Sequence, residues 1–197
     1  MTGLRAGLLI AGLAMLAMGL AGLGFWAMGP EARQALIPEE VGQGAYMLQS
    51  TAGQDFTEDS LKGQPSLVFF GFTHCPDVCP TTLGDIALWQ DMLGDRAAAL
   101  RVFFITVDPA RDTAARLADY TGWLTGVQGV TGSQAETDRA ITAFRAFARK
   151  VPMEGGDYTM DHSASVLVFD ARGRFTGTIP YQSAPEVAVA KIIEALQ

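Results

Sequence analysis

The sequence predicts a mixed α/β domain behind a single apolar N-terminal span, and three observations carry that reading. Residues 6–29 run for 24 positions without a charge. From residue 45 onward, apolar runs of strand length alternate with stretches at helical spacing. The only two cysteines fall where an apolar run gives way to a helical pattern, the junction at which α/β folds place their chemistry.

Taken in order, the span comes first. Its length exceeds the ~20 apolar residues needed to cross a bilayer, and a cleavable signal usually has an apolar core of only about 7–15. No small-x-small cleavage site or lipobox cysteine follows it. Arg5 precedes the span while Glu31 and Arg33 follow it, so the positive-inside rule puts the short N-terminus in the cytoplasm. Trp26 sits where an interfacial anchor is expected. No Arg/Ser-rich presequence argues for organelle import. The expected organisation is therefore an anchor at 1–29, a polar linker at 30–44 and a folded domain at 45–197. The expected location is a bacterial inner membrane, with the domain in the periplasm.

Within the domain, residues 45–49 read as a short strand, followed by a turn at Gly53. The continuous apolar run 66–72 marks a strand buried on both faces. Pro80 opens a helix, with Leu83, Ile86, Ala87, Trp89 and Leu93 roughly at helical spacing. Residues 100–107 form a second buried strand, and 112–124 a helix with Asp112 as its expected cap. Residues 127–130 form a short strand, and 133–150 a long amphipathic helix carrying Ile141, Phe144 and Phe147. A hairpin over 164–169 and 174–179 turns at Asp170–Gly173, and a last helix covers 185–196. Strand–helix–strand–helix followed by hairpin–helix is the order of a thioredoxin-like fold, whose active loop lies at the carboxyl end of a central strand.

Charge narrows the function. The chain carries a formal net charge of −7, and Arg5 is the only charge in the anchor, so the remainder is more acidic still. Such a surface disfavours nucleic acid and anionic headgroups. Two cysteines in 197 residues do not make a disulfide scaffold, although a non-cytoplasmic location permits one disulfide.

Both cysteines, Cys75 and Cys79, and one of the two histidines, His74, fall within six residues. With Cys79 as cap of the following helix, the free amides of Thr81 and Thr82 are expected to point at its sulfur and favour the thiolate. A thiolate is both the metal-binding and the nucleophilic form, so activation alone leaves a metal site and a redox couple open. His162 separates them, because the loop before a central strand faces the helix-opening loop in this fold. Two thiolates and one imidazole suit Cu(I) and accept Cu(II). A structural zinc site wants a fourth ligand, which Asp77, Asp161 or water would have to supply. His74 is expected to point away from a site built by its neighbour. Asp108 reads as a turn residue at a strand end that could approach the site. Without the cysteines, His162 is most simply a histidine hydrogen-bonded in a loop, and the cysteines a structural disulfide or inert thiols.

The stretch Phe70-Gly71-Phe72-Thr73-His74-Cys75-Pro76-Asp77-Val78-Cys79-Pro80-Thr81-Thr82-Leu83 resembles the metal motif of the Sco/SenC family of copper chaperones. Val107-Asp108-Pro109-Ala110-Arg111-Asp112-Thr113 and the segment around Asp161-His162-Ser163 resemble later blocks of that family, in the same order. The resemblance runs from about Gly42 to the C-terminus. It implies a thioredoxin-like fold, a single membrane anchor, copper ligands at Cys75, Cys79 and His162, and a role in building the copper A centre of cytochrome c oxidase. The implied partner is the copper-bearing oxidase subunit, with a periplasmic copper donor or thiol reductant alongside.

The main rival reading is a thiol–disulfide oxidoreductase that keeps the recipient's cysteines reduced, with Cys75 and Cys79 as redox thiols. Two features weigh against it as the sole function. Such enzymes usually have two residues between their cysteines, and here there are three. They also place a proline opposite the thiols, and no proline occurs between Pro152 and Pro180. A peroxidase is a weaker rival, since nothing marks a separate peroxidatic cysteine, and a copper or redox sensor is a third class.

Overall fold

The structure is a computed structural model that describes residues 41–197, together with Met15 and Gly19. The expected anchor and most of the expected linker lie outside the described residues. Among the described residues no helix is long and apolar enough to cross a membrane.

The core is a sheet in which β3 (Ser66–Gly71) is central and buried at all six positions. It pairs in parallel with β4 (Arg101–Thr106) and antiparallel with β8 (Val166–Phe169). Strands β1 (Leu48–Ser50), β2 (Asp55–Phe56), β5 (Val127–Thr131) and β9 (Phe175–Ile179) complete the order β2-β1-β5-β4-β3-β8-β9. A strand covered on both faces has no reason to alternate polar and apolar side chains, which is why 66–72 reads as one apolar run. Phe69, Phe70, Phe104 and Phe169 sit in the core at 2% exposure or less. Val41, placed by composition in the linker, is also buried there.

The helices begin and end differently from the sequence expectation. Helix α1 (Val78–Leu93) starts two residues before Pro80, with Asp77 as its N-cap residue. Pro80 is tolerated at the third helical position because an amide there has no intrahelical acceptor. Helix α2 (Ala114–Thr121) is capped by the Thr113 side chain, which accepts from the Arg116 amide, so Asp112 is not the cap. Helix α3 (Gln134–Ala143) ends seven residues before the expected position.

The chain instead turns at Phe144, which is buried, and Arg145, which has positive φ. Residues 148–152 become β6 (Ala148–Pro152) and pair antiparallel with β7 (Tyr158–His162). This two-stranded ribbon is a separate sheet. Its turn uses Gly155 and Gly156 at φ 88° and 87°, a conformation that favours glycine. Phe147, expected on the buried face of a helix, is 53% exposed. Helix α4 (Pro185–Ala195), with Pro185 in its first turn, contacts α1, β8 and β9.

Candidate metal centre

Three elements converge at the carboxyl end of β3. The loop after β3 supplies Cys75, the first turn of α1 supplies Cys79, and the last residue of β7 is His162. One sulfur from each cysteine and a ring nitrogen of His162 lie within 4.8 Å of one another. With metal–sulfur and metal–nitrogen bonds of about 2.3 and 2.0 Å, a trigonal ion needs donor atoms roughly 3.5–4 Å apart. Cys79 Sγ and His162 Nε2 are 3.5 Å apart. An ion therefore fits with sub-ångström adjustments.

His162 is oriented from behind. Its Nδ1 lies 2.9 Å from the Ser163 carbonyl oxygen, which can only accept, so Nδ1 carries the proton. In the neutral ring Nε2 then presents a lone pair to the sulfurs. The ring edges onto Phe72 and Phe69, with centroids 5.7 and 6.1 Å away. His162 was expected in a loop, but strand pairing with Ala148 holds its backbone.

The two thiols are unequal. Cys79 is fully buried, and its amide donates to Cys75 Sγ at 3.3 Å. That amide belongs to the first turn of α1 and has no helical acceptor. Hydrogen bonding from the Cys79 side chain holds Cys75 down at about 4 against the cost of its partial burial, and the amides of Cys79 and Asp77 add to the effect. Hydrogen bonding to Cys75 and burial push the Cys79 thiol up. The activated sulfur is thus Cys75, not Cys79, and the Thr81 amide bonds the Asp77 carbonyl instead. Cys79 was misassigned because the helix starts earlier, at Val78.

Two residues make room for this arrangement. A methyl group on Gly71 would lie 2.8 Å from Cys79 Sγ and 2.7 Å from the Phe104 ring, so the end of β3 must be bare for Cys79 to pack onto it. Asp112 is fully buried and accepts from the Thr73 amide (3.0 Å), the Thr73 hydroxyl (2.6 Å) and the Thr106 hydroxyl (2.6 Å). It thereby ties the start of the cysteine loop to the end of β4.

The other expected candidates stand apart. His74 faces Thr73 at 3.3 Å and Asp112 at 4.0 Å. Asp161 pairs with Arg149 at 2.6 Å on the exposed side of the ribbon. Asp77 accepts from the Thr81 hydroxyl. Asp108 accepts from Tyr158 and Arg111 rather than facing the sulfurs. Sequence reasoning missed the roles of Gly71, Arg111 and Tyr158. The ribbon that carries Tyr158 did have a signal, a Gly155-Gly156 turn between two short β-prone segments.

The chain is similar to proteins of known family. The family model described as SCO1/SenC matches residues 34–197. The mitochondrial protein SCO1 of Saccharomyces cerevisiae is 34% identical over 155 residues, which cover 77% of this chain and 52% of that protein. The chain thus spans about half the length of that relative. The structure of Bradyrhizobium japonicum ScoI with copper bound superposes with a TM-score of 0.72 at 41% identity, covering 79% of this chain and 99% of that one. The structure of BsSco shares the fold, with a TM-score of 0.64 at 22% identity over 81% of this chain and 96% of that one. BsSco is described as a member of the Sco family of cytochrome c oxidase assembly proteins.

Proposed function

The chain belongs to the SCO1/SenC family, and from that premise we propose that it is a copper chaperone whose cargo is held by Cys75, Cys79 and His162. The observation that carries the reading is the convergence of two sulfurs and an oriented imidazole lone pair from three separate elements. Thiolates favour Cu(I), and the imidazole lets the same set accept Cu(II). The copper-bound state of ScoI, 41% identical, supports copper as the cargo.

The exposure pattern suits delivery. Cys79 is buried, whereas Cys75 and His162 are part-exposed, so an incoming thiolate reaches the ion from the Cys75 side. Cu(I) bound to Cys75, Cys79 and His162 gains a recipient sulfur and then releases Cys75. Further exchanges move the ion across without a free-ion stage. Loading requires both thiols reduced and deprotonated, so a Cys75–Cys79 disulfide blocks it. The recipient is the copper A subunit of cytochrome c oxidase. In this reading the 6–29 span anchors the domain on the periplasmic side of a bacterial inner membrane.

A second reading, thiol–disulfide exchange on the recipient's cysteines, is favoured by one observation. Cys75 combines a lowered pKa with partial exposure, as an attacking thiol requires. An anaerobic copper titration of the reduced 197-residue chain, beside His162→Ala, separates the two. The chaperone reading expects one tightly bound copper in the wild type, and weaker binding with intact thiol exchange in the variant. Equal, weak binding by both with fast exchange would replace it by the reductase.

A further inference from the structure

The cysteines and the histidine sit on separate sheets, and along the chain only residues 163–165 lead from His162 into β8, the neighbour of β3. Cys75 and Cys79 follow β3 in the seven-stranded sheet, while His162 ends a two-stranded ribbon that is a sheet of its own. A two-stranded ribbon is marginal in isolation. Sheet register therefore does not fix the 3.5 Å between Cys79 Sγ and His162 Nε2.

The loop between β4 and α2, residues 107–113, reaches both units. On one side Asp112 receives the amide and hydroxyl of Thr73, two residues before Cys75. On the other side Arg111 donates to the Tyr158 carbonyl at 2.9 Å and to the Asp157 carboxylate at 3.4 Å. The Tyr158 hydroxyl donates to Asp108 Oδ1 at 2.9 Å, and Arg111 Nε donates to Asp108 Oδ2. The Arg111 guanidinium also lies 3.7 Å from the Tyr158 ring centroid and 5.9 Å from that of Phe72, the ring on which His162 rests. Asp108 is only 4% exposed.

Tyr158 is the first residue of β7 and His162 the last. Four residues of strand span roughly 13 Å, so a tilt of the ribbon by about 10° shifts its Tyr158 and His162 ends against each other by roughly 2 Å. That is a whole metal–ligand bond. We propose that the 107–113 loop is a brace setting the cysteine-to-histidine separation, with Asp108, Arg111 and Tyr158 as positioning residues for His162. The inference rests on the copper-binding reading and adds a selectivity to it. A loosened ribbon takes away the imidazole and leaves the two thiolates, which retain Cu(I) better than Cu(II).

The test uses the 197-residue chain with Tyr158→Phe, which removes one hydroxyl, and with the paired change Asp108→Asn/Arg111→Gln, which leaves no lone buried charge. Each is measured for Cu(II) and Cu(I) affinity, alone and in a His162→Ala background. Amide exchange across 158–162 is measured in the metal-free state. The expected result is a roughly 10–100-fold loss of Cu(II) affinity, a smaller loss for Cu(I), faster exchange, and no further copper effect once His162 is gone. Affinities within twofold of wild type, or a loss that persists in the His162→Ala background, overturn the brace alone. A wild-type chain that binds neither copper state overturns the copper reading itself, and the brace's role in it.

Discussion

Replacing Gly71 by alanine tests whether the end of β3 is bare in order to seat Cys79. The added carbon would lie 2.7 and 2.8 Å from two atoms of the Phe104 ring and 2.8 Å from Cys79 Sγ. Non-bonded carbons prefer about 3.5–4.0 Å, so each neighbour must give by most of an ångström. Phe104 is fully buried and touches Phe69 and Tyr120 with ring centroids 5.8 and 5.5 Å away, so it has little room to retreat. Overpacking of this kind costs about 1–3 kcal/mol, a Tm drop of about 2–4 °C per kcal/mol for a domain of this size. Sub-ångström errors matter more at the donor atoms, so copper affinity should fall by at least ~10-fold, as it does when supporting residues of metal sites are altered. Urea unfolding of the metal-free protein gives the first quantity and a competition titration with a chromophoric Cu(I) chelator gives the second. Unchanged stability and unchanged affinity would refute the packing argument. Lost stability with unchanged affinity would refute only the claim that Gly71 positions Cys79.

The unequal thiols give a pH prediction. Cys75, at about 4, should be alkylated by iodoacetamide at pH 6 well before Cys79, and mass mapping of the first label onto Cys79 would contradict this. The folded state binds fewer protons at Cys75 than the unfolded chain, whose thiol has its ordinary value of 9.0. Its contribution to stability is therefore complete above pH 9 and is lost as the pH falls towards 4; a Cys75→Ser variant, compared by urea midpoints, should flatten that slope. Cys79 has the opposite sign, since its raised value favours the folded state below its ordinary range and costs stability above it. Asp112→Ala leaves the Thr106 hydroxyl and both Thr73 donors without their acceptor, and should cost about 3 kcal/mol or more. A loss below about 1 kcal/mol in urea would show that water or a neighbour replaces the carboxylate.

Much of the fold is local in origin and was legible. The doubly buried strands at 66–72 and 100–107 read as apolar runs because both faces are covered. The hairpin at 166–179 read from its Asp170–Gly173 turn. The pairing of scarce cysteines with His162 was legible too, because a chain with two cysteines and two histidines offers few sets to choose from. What failed depended on competition between alternatives that one local pattern does not rank. Residues 144–150 continue a helical pattern, but Phe144 is taken into the core, and Ala148–Pro152 pairs with β7 across the Gly155-Gly156 turn, a hairpin signal that the helical period masks. Asp112 looked like a helix cap because its neighbour Thr113 is one, while its own carboxylate answers donors from Thr73 and Thr106.

The sequence alone thus determined which side chains are available for chemistry and which strands lie inside, since composition and periodicity are properties of the chain itself. Only the tertiary structure decided which thiol is activated, which imidazole nitrogen faces the sulfurs, and what holds the histidine ribbon against the cysteine loop. Those depend on distances of a few ångströms between segments far apart in the chain, such as Cys79 and His162, 83 residues apart, set by packing after the chain has folded.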